Sequence, residues 1–187
     1  MLSDCDAYSH FLRCCMSAQI DHILPDVIGP DLYLLICGSA AGIRSATVQA
    51  YYAGHGNLFW RALYQTGLTP TLVKPPMFRS LLKHRIGLTD VAKKPAGSDR
   101  TLSSDAYDSH SLTEKLDKFS PLILAFNGKT PAQHFLQRNV HYGQQEEYYR
   151  KIAIFVLPST SGAARRYWSI QPWQDLARLL RKEHSFP

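Results

Sequence analysis

Apolar positions along this chain follow two periods. Four short stretches, Leu32–Cys37, Arg85–Val91, Pro121–Phe126 and Lys151–Leu157, are rich in apolar residues, and all but the second end at Gly, Asn or Pro. Such runs predict strands buried on both faces. Elsewhere the period lengthens to about 3.6 residues, the helical repeat. Phe11, Leu12, Cys15, Met16, Gln19 and Ile20 predict a helix within residues 1–24, which Pro25 and Gly29-Pro30 end. Asn57 stands where a helix N-cap belongs, before LFWRALYQ, with Gly67 as its C-cap. Pro75-Pro76 precede MFRSLLKHR, a short amphipathic helix with Pro at its start. Leu112–Phe119 and a segment opened by Thr130-Pro131 predict two more helices, and a last one runs from about Gln171 to Lys182. The stretch from Gln137 to Arg150 is polar and leads into the fourth strand.

Strands alternating with helices predict an α/β domain whose parallel sheet is covered on both faces. A chain of 187 residues with 45% hydrophobic and 19% charged positions forms one domain, residues 1–187, with 1–30 as an N-terminal helical extension. In open α/β sheets ligands bind past the carboxyl ends of the strands. Four polar or glycine-bearing loops are expected there: GSAAG after the first strand, TDV after the second, FNGKT after the third and PSTSGAARR after the fourth. The segment Lys93–Ser111, rich in Ser, Asp, Gly and Pro, is the longest loop, and loops of that length are commonly functional or disordered.

No apolar run approaches the ~20 residues that span a bilayer. The opening MLSDCDAYSHFLRCC has an early Asp and lacks the apolar core of a secretory signal. The expectation is a soluble, cytoplasmic monomer, nucleoid-associated in a bacterium, with no membrane partner. Cys5, Cys14, Cys15 and Cys37 give neither a CxxC pair nor a zinc spacing. Reduced thiols, no metal and no cofactor are therefore expected. A net charge of +6 suits plain solubility or a phosphate backbone as partner. Its placement in Lys74–Arg85, Lys93–Arg100, Lys115–Lys129 and Arg165–Arg166, partly in loops, favours a binding face.

Two nucleotide-binding patterns fail on spacing. Gly128-Lys129-Thr130 follows a strand, but Ile123 stands where a P-loop needs its first glycine. Gly54-His55-Gly56 lacks the third glycine of a dinucleotide fingerprint, Phe59 taking its place. The ordered set GSAAG, YYAGHGNLFW, GLTDV, FNGK and LPSTSG instead resembles the uracil-DNA glycosylase superfamily, above all its mismatch-specific (thymine/uracil) and hypoxanthine branches. The resemblance covers about residues 31–180. It implies a three-layer α/β/α sandwich with a four-stranded parallel sheet. It also implies hydrolysis of the N-glycosidic bond of uracil, or another deaminated base, flipped out of single- or double-stranded DNA, leaving an abasic site. The enzyme would be monofunctional, since no Lys occupies a catalytic motif position.

The same resemblance distributes roles. Mismatch-specific relatives place a water-holding Asn in the first motif, where this chain has Ala40, followed by Ala41 in place of Pro. The hypoxanthine branch starts Gly-Ser, as Gly38-Ser39 do here, and relies on the Asn of N-x-F-W, which matches Asn57. Asn57 is thus a catalytic residue or the helix cap alone. Tyr52 matches the aromatic that stacks on the flipped base, with Tyr51 as the packing neighbour. Asp90 matches a strand-two position that reads the base edge or positions water, and it shares the catalytic load with Asn57 and Ser39. Gly38, Ala40, Asn127 and Ser159 line the base; Asn127 alternatively caps a turn, and Ser159 replaces a His that supports the leaving base. His55 contacts phosphate or is merely solvated. Lys129, Ser161, Gly162 and Ala163 face DNA, and Arg165 or Arg166 supplies the missing wedge or clamps phosphates. A second expectation is a catalytically weakened protein of the same fold that binds damaged DNA or abasic sites.

Overall fold

The computed structural model describes residues 22–99 and 101–184. Five strands, β1 (Leu34–Gly38), β2 (Ile86–Asp90), β3 (Ile123–Asn127), β4 (Gly143–Tyr149) and β5 (Ile152–Leu157), form one sheet in the order β2-β1-β3-β5-β4. Four of them are parallel and lie at the four apolar stretches. β4 pairs antiparallel with β5, which corrects the four-stranded expectation. Its sequence GQQEEYY buries only Gln145, because an edge strand against one neighbour needs no apolar run. Arg150, in the left-handed conformation at φ 55°, turns the chain from β4 into β5.

Five helices follow: α1 (Ile43–Thr47), α2 (Phe59–Gln65), α3 (Ser109–Phe119), α4 (Lys129–Leu136) and α5 (Gln171–His184). Alternate residues of each buried strand enter opposite cores. Leu34, Ile36, Ile123 and Ala125 pack with α2 and α5 through Phe59, Leu63, Trp173 and Leu176. Leu35, Cys37, Leu124 and Phe126 pack with α3 and α4 through Leu112, Leu116 and Ala132. The domain is therefore layered helix–sheet–helix. Thr66, not Gly67, is the C-cap of α2; Gly67 (φ 70°) follows it in the left-handed conformation, with Leu68 N–H returning 2.9 Å to the Leu63 carbonyl.

Two helical expectations change. Pro75–His84 is a 3₁₀ helix rather than an α-helix. Pro75 and Pro76 carry no amide to donate, and the buried pair Phe78 and Leu81 has the three-residue spacing of that tighter spiral. Of the helix within residues 1–24, residues 1–21 lie outside those described, and 22–24 are not helical.

Residues 25–28 cross β2 as a strap, Val27 and Leu88 exchanging two backbone bonds of 2.9 Å. Gly87 makes this crossing feasible. A Cβ there would sit 2.8 Å from the Val27 carbonyl oxygen and 2.7 Å from a Leu32 methyl. Gly87→Ala is expected to cost about 1–3 kcal/mol by overpacking, seen as a lower urea midpoint at unchanged m-value.

Candidate active site

β1, β2 and β3 deliver Gly38, Asp90 and Asn127 to one edge of the sheet. Parallel register sets Gly38 beside Asp90, and Asn127 beside Leu157 of β5. Because Gly38 has no side chain, the Asp90 carboxylate occupies the space above it: a Cβ on Gly38 would lie 2.5 Å from Asp90 Oδ1 and 3.3 Å from the Tyr52 hydroxyl. Asp90 is only 4% exposed, and no described residue hydrogen-bonds its carboxylate. Burial therefore raises its pKa to about 6; Lys93 and Lys115 oppose the rise, and Asp26 adds to it.

Tyr52 reaches this point by an unusual backbone. It sits at φ 52°, a conformation that bulky residues adopt rarely and at a cost of order 1 kcal/mol or more. Its ring stacks on Phe59 at 3.8 Å and 20°. The hydroxyl is buried without a hydrogen-bond partner. Burial pushes that phenol well above its usual pKa, the Asp90 charge adds to this, and the adjacent Asn127 amide moderates it without completing a bond. Tyr51 points the other way, into the core against Phe78, where its hydroxyl accepts from Lys93 at 3.0 Å. α1 holds the intervening loop: Ala53 N–H donates to Ser45 Oγ, and Arg44 Nε donates to the Ala53 carbonyl.

Asn127 is bonded reciprocally to Thr160, accepting from its amide at 3.1 Å and donating to its hydroxyl at 2.9 Å. One N–H and one lone pair of the Asn127 amide remain. Leu58 N–H donates to the Thr160 carbonyl, so the loops after β1 and β5 are tied together. Gly162 packs close to the His55 carbonyl, and the Arg165 guanidinium lies over Gly56, within 2.9 Å of where a Cβ would be. Ser159 Oγ and Ser161 Oγ accept at 3.4 Å from Ser161 and Ala163 amides, shaping the start of the 3₁₀ segment Gly162–Tyr167.

Asn57 performs a capping bond: its Oδ1 accepts from Phe59 N–H at 3.0 Å, one residue ahead of the expected geometry, while its Nδ2 donates to no described residue. Ser39 and the two alanines are fixed by backbone. The Ser39 carbonyl accepts from Ala92, and the Ala41 carbonyl accepts from Gly97, which docks the long loop on the first motif. Ala40 presents only a methyl to that turn.

Several residues were invisible in the pattern. Tyr107, from the long loop, stacks flat on His134 at 3.7 Å and 4°, and its buried, unbonded hydroxyl lies at the Ser39 side chain. Thr160 stood inside a motif without a role. Lys93 and Lys115, counted toward the basic face, instead turn inward onto Asp26 at 2.8 and 2.9 Å. Burial pushes the Asp26 carboxyl up, but the two ammonium charges outweigh it and hold it below its ordinary value. Lys129 lies over the Tyr142 ring and Arg166 over the Tyr167 ring. Among the described residues, no cluster of His, Cys, Asp or Glu can hold a metal ion, and no helix is long and apolar enough to cross a membrane.

The profile of the Uracil DNA glycosylase superfamily matches residues 25–178. This chain belongs to the uracil-DNA glycosylase superfamily. It is also similar to the solution NMR structure of a candidate uracil DNA glycosylase from Methanosarcina acetivorans. That likeness has a TM-score of 0.56 and 26% identity over 84% of this chain and 96% of the other.

Proposed function

We propose that this protein is a monofunctional DNA glycosylase that removes uracil, and by the same pocket other deaminated bases, from DNA. The observation that carries the reading is the buried Asp90 carboxylate, free of protein hydrogen bonds, beside the Tyr52 hydroxyl over the bare face of Gly38. A base extruded from the stack would enter at this edge and meet the Tyr52–Phe59 stack. In the hydrolysis the C1′–N bond breaks with its electron pair leaving on the base. A water oxygen bonds to C1′, and its proton passes to Asp90, which is mainly ionised above pH about 6. Asn57 holds that water through the amide N–H that its capping bond leaves unused. Asn127 and Ser159 meet the base, and Arg165 and His55 the flanking phosphates. The Lys93 amine is committed to Asp26 and Tyr51, which supports attack by water rather than by a Schiff-base lysine.

The methyl of Ala40 favours one other reading, a damaged-DNA-binding protein with weakened catalysis. Incubation with uracil- or hypoxanthine-containing oligonucleotides, single- and double-stranded, followed by alkali, separates the two. Strand scission at the lesion supports the glycosylase; tight binding with no scission supports the binder. Under the glycosylase reading Asn57→Ala lowers single-turnover base release by more than about tenfold. Full activity in that variant would leave Asn57 as a cap only.

A further inference from the structure

A second aromatic feature lies on the same edge of the sheet, outside the pocket. β4 runs antiparallel to β5 with Gly143 opposite Val156, so Tyr142 stands at the carboxyl end of β5, where the chain turns toward Gly162–Tyr167. Tyr142 is 36% exposed and Tyr167 is 56% exposed. Each ring carries a cation: Lys129 Nζ lies 4.8 Å from the Tyr142 centroid, and Arg166 Cζ lies 4.5 Å from that of Tyr167. Arg166 also donates to the Tyr167 hydroxyl. Tyr142 thus precedes β4 and Tyr167 closes the segment that follows β5, so both stand past the carboxyl end of that strand. Among the described residues, none of the ion pairs uses Lys129, Arg165 or Arg166, so these charges have no carboxylate of their own.

Isolated surface tyrosines need no explanation. Two past one strand end, each backed by an uncompensated cation, match what an unpaired strand offers: π-faces joined by phosphates. We propose that Tyr142 and Tyr167, with Lys129 and Arg166, form a platform on which unpaired DNA bases next to the extruded nucleotide stack. This rests on the reading of the protein as DNA-directed. Bases in an intact duplex stay stacked on each other, so the platform favours single-stranded DNA.

Fluorescence anisotropy with an undamaged single-stranded oligonucleotide and its duplex tests the platform without requiring base excision. Tyr142→Ala and Tyr167→Ala are each expected to weaken single-strand binding about tenfold and to leave duplex binding within about twofold. Tyr142→Phe and Tyr167→Phe retain the affinity. Lys129→Gln flattens the slope of log affinity against log salt by about one, the loss of one phosphate contact. Equal binding by wild type and both alanine variants overturns the proposal, as does an equal loss on duplex or no measurable single-strand binding. A protein that binds single strands through these tyrosines but never releases uracil keeps the platform and defeats the glycosylase reading. The reverse result defeats the platform alone.

Discussion

Asp90→Asn is expected to lower the rate of base release by about a hundredfold or more while making the folded protein more stable at neutral pH. The first effect follows from the proton that hydrolysis must dispose of, which an amide cannot accept. The second follows from linkage. Burial holds the Asp90 pKa at about 6 against an ordinary value of 3.8, so the folded state binds this proton more tightly than the unfolded chain. Stability from this group is therefore fully present below pH 3.8, declines as pH rises through about 6, and stays low above that. The deficit at neutral pH is on the order of 3 kcal/mol, which an uncharged isostere removes. The proposed activity is expected to run the opposite way in the wild type, rising through pH about 6 as the carboxylate forms. Single-turnover rates across pH and thermal melts of both proteins check this. A variant with full activity would remove Asp90 from the chemistry. One that melts lower would show the carboxylate to be structurally required.

Gly38→Ala should cost about as much activity without touching a reactive group. The new methyl would stand 2.5 Å from Asp90 Oδ1, and the end of a side chain yields more readily than a backbone. The carboxylate rotates away, and a displacement near 1 Å is enough to lose about a hundredfold in rate. The expected pattern is a large fall in base release with an almost unchanged melting temperature. The pH limb also moves below 6, because the displaced carboxylate gains water. Normal rates in this variant would mean that the space over Gly38 has no part in the reaction.

The parallel core of this fold was legible because its strands are buried on both faces, which leaves apolar runs such as Leu34–Cys37 and Ile152–Leu157 that no helix of this length would need. β4 was not legible, since GQQEEYY buries one residue and takes its strand geometry from β5. The edge of the candidate site was visible through Gly38, Asp90 and Asn127, the last residues of their strands. Its depth was not. Asn127 meets Thr160 from 33 positions away, and Asp26 gathers two lysines whose charges looked solvent-facing in the sequence. Tyr107 reaches Ser39 from a long loop whose composition singles out no residue. Local pattern fixes which residues stand at a strand end, but partners that loops bring across the edge leave no period to find.

The two margins of the sheet have unequal prospects for meeting another chain. β2 is covered by the Val27 strap, whose paired amides leave no ladder to extend there. Among the described residues no strand pairs with the outer side of β4, and such a side invites a neighbouring strand to add on. Here the pairing with β5 shifts register between Gln144 and Tyr148, and the exposed carboxylates Glu146 and Glu147 stand at that irregularity. An approaching copy would find neither a straight ladder nor a neutral surface. The irregular ladder of β4 thus makes edge-to-edge pairing of copies less favourable at this margin.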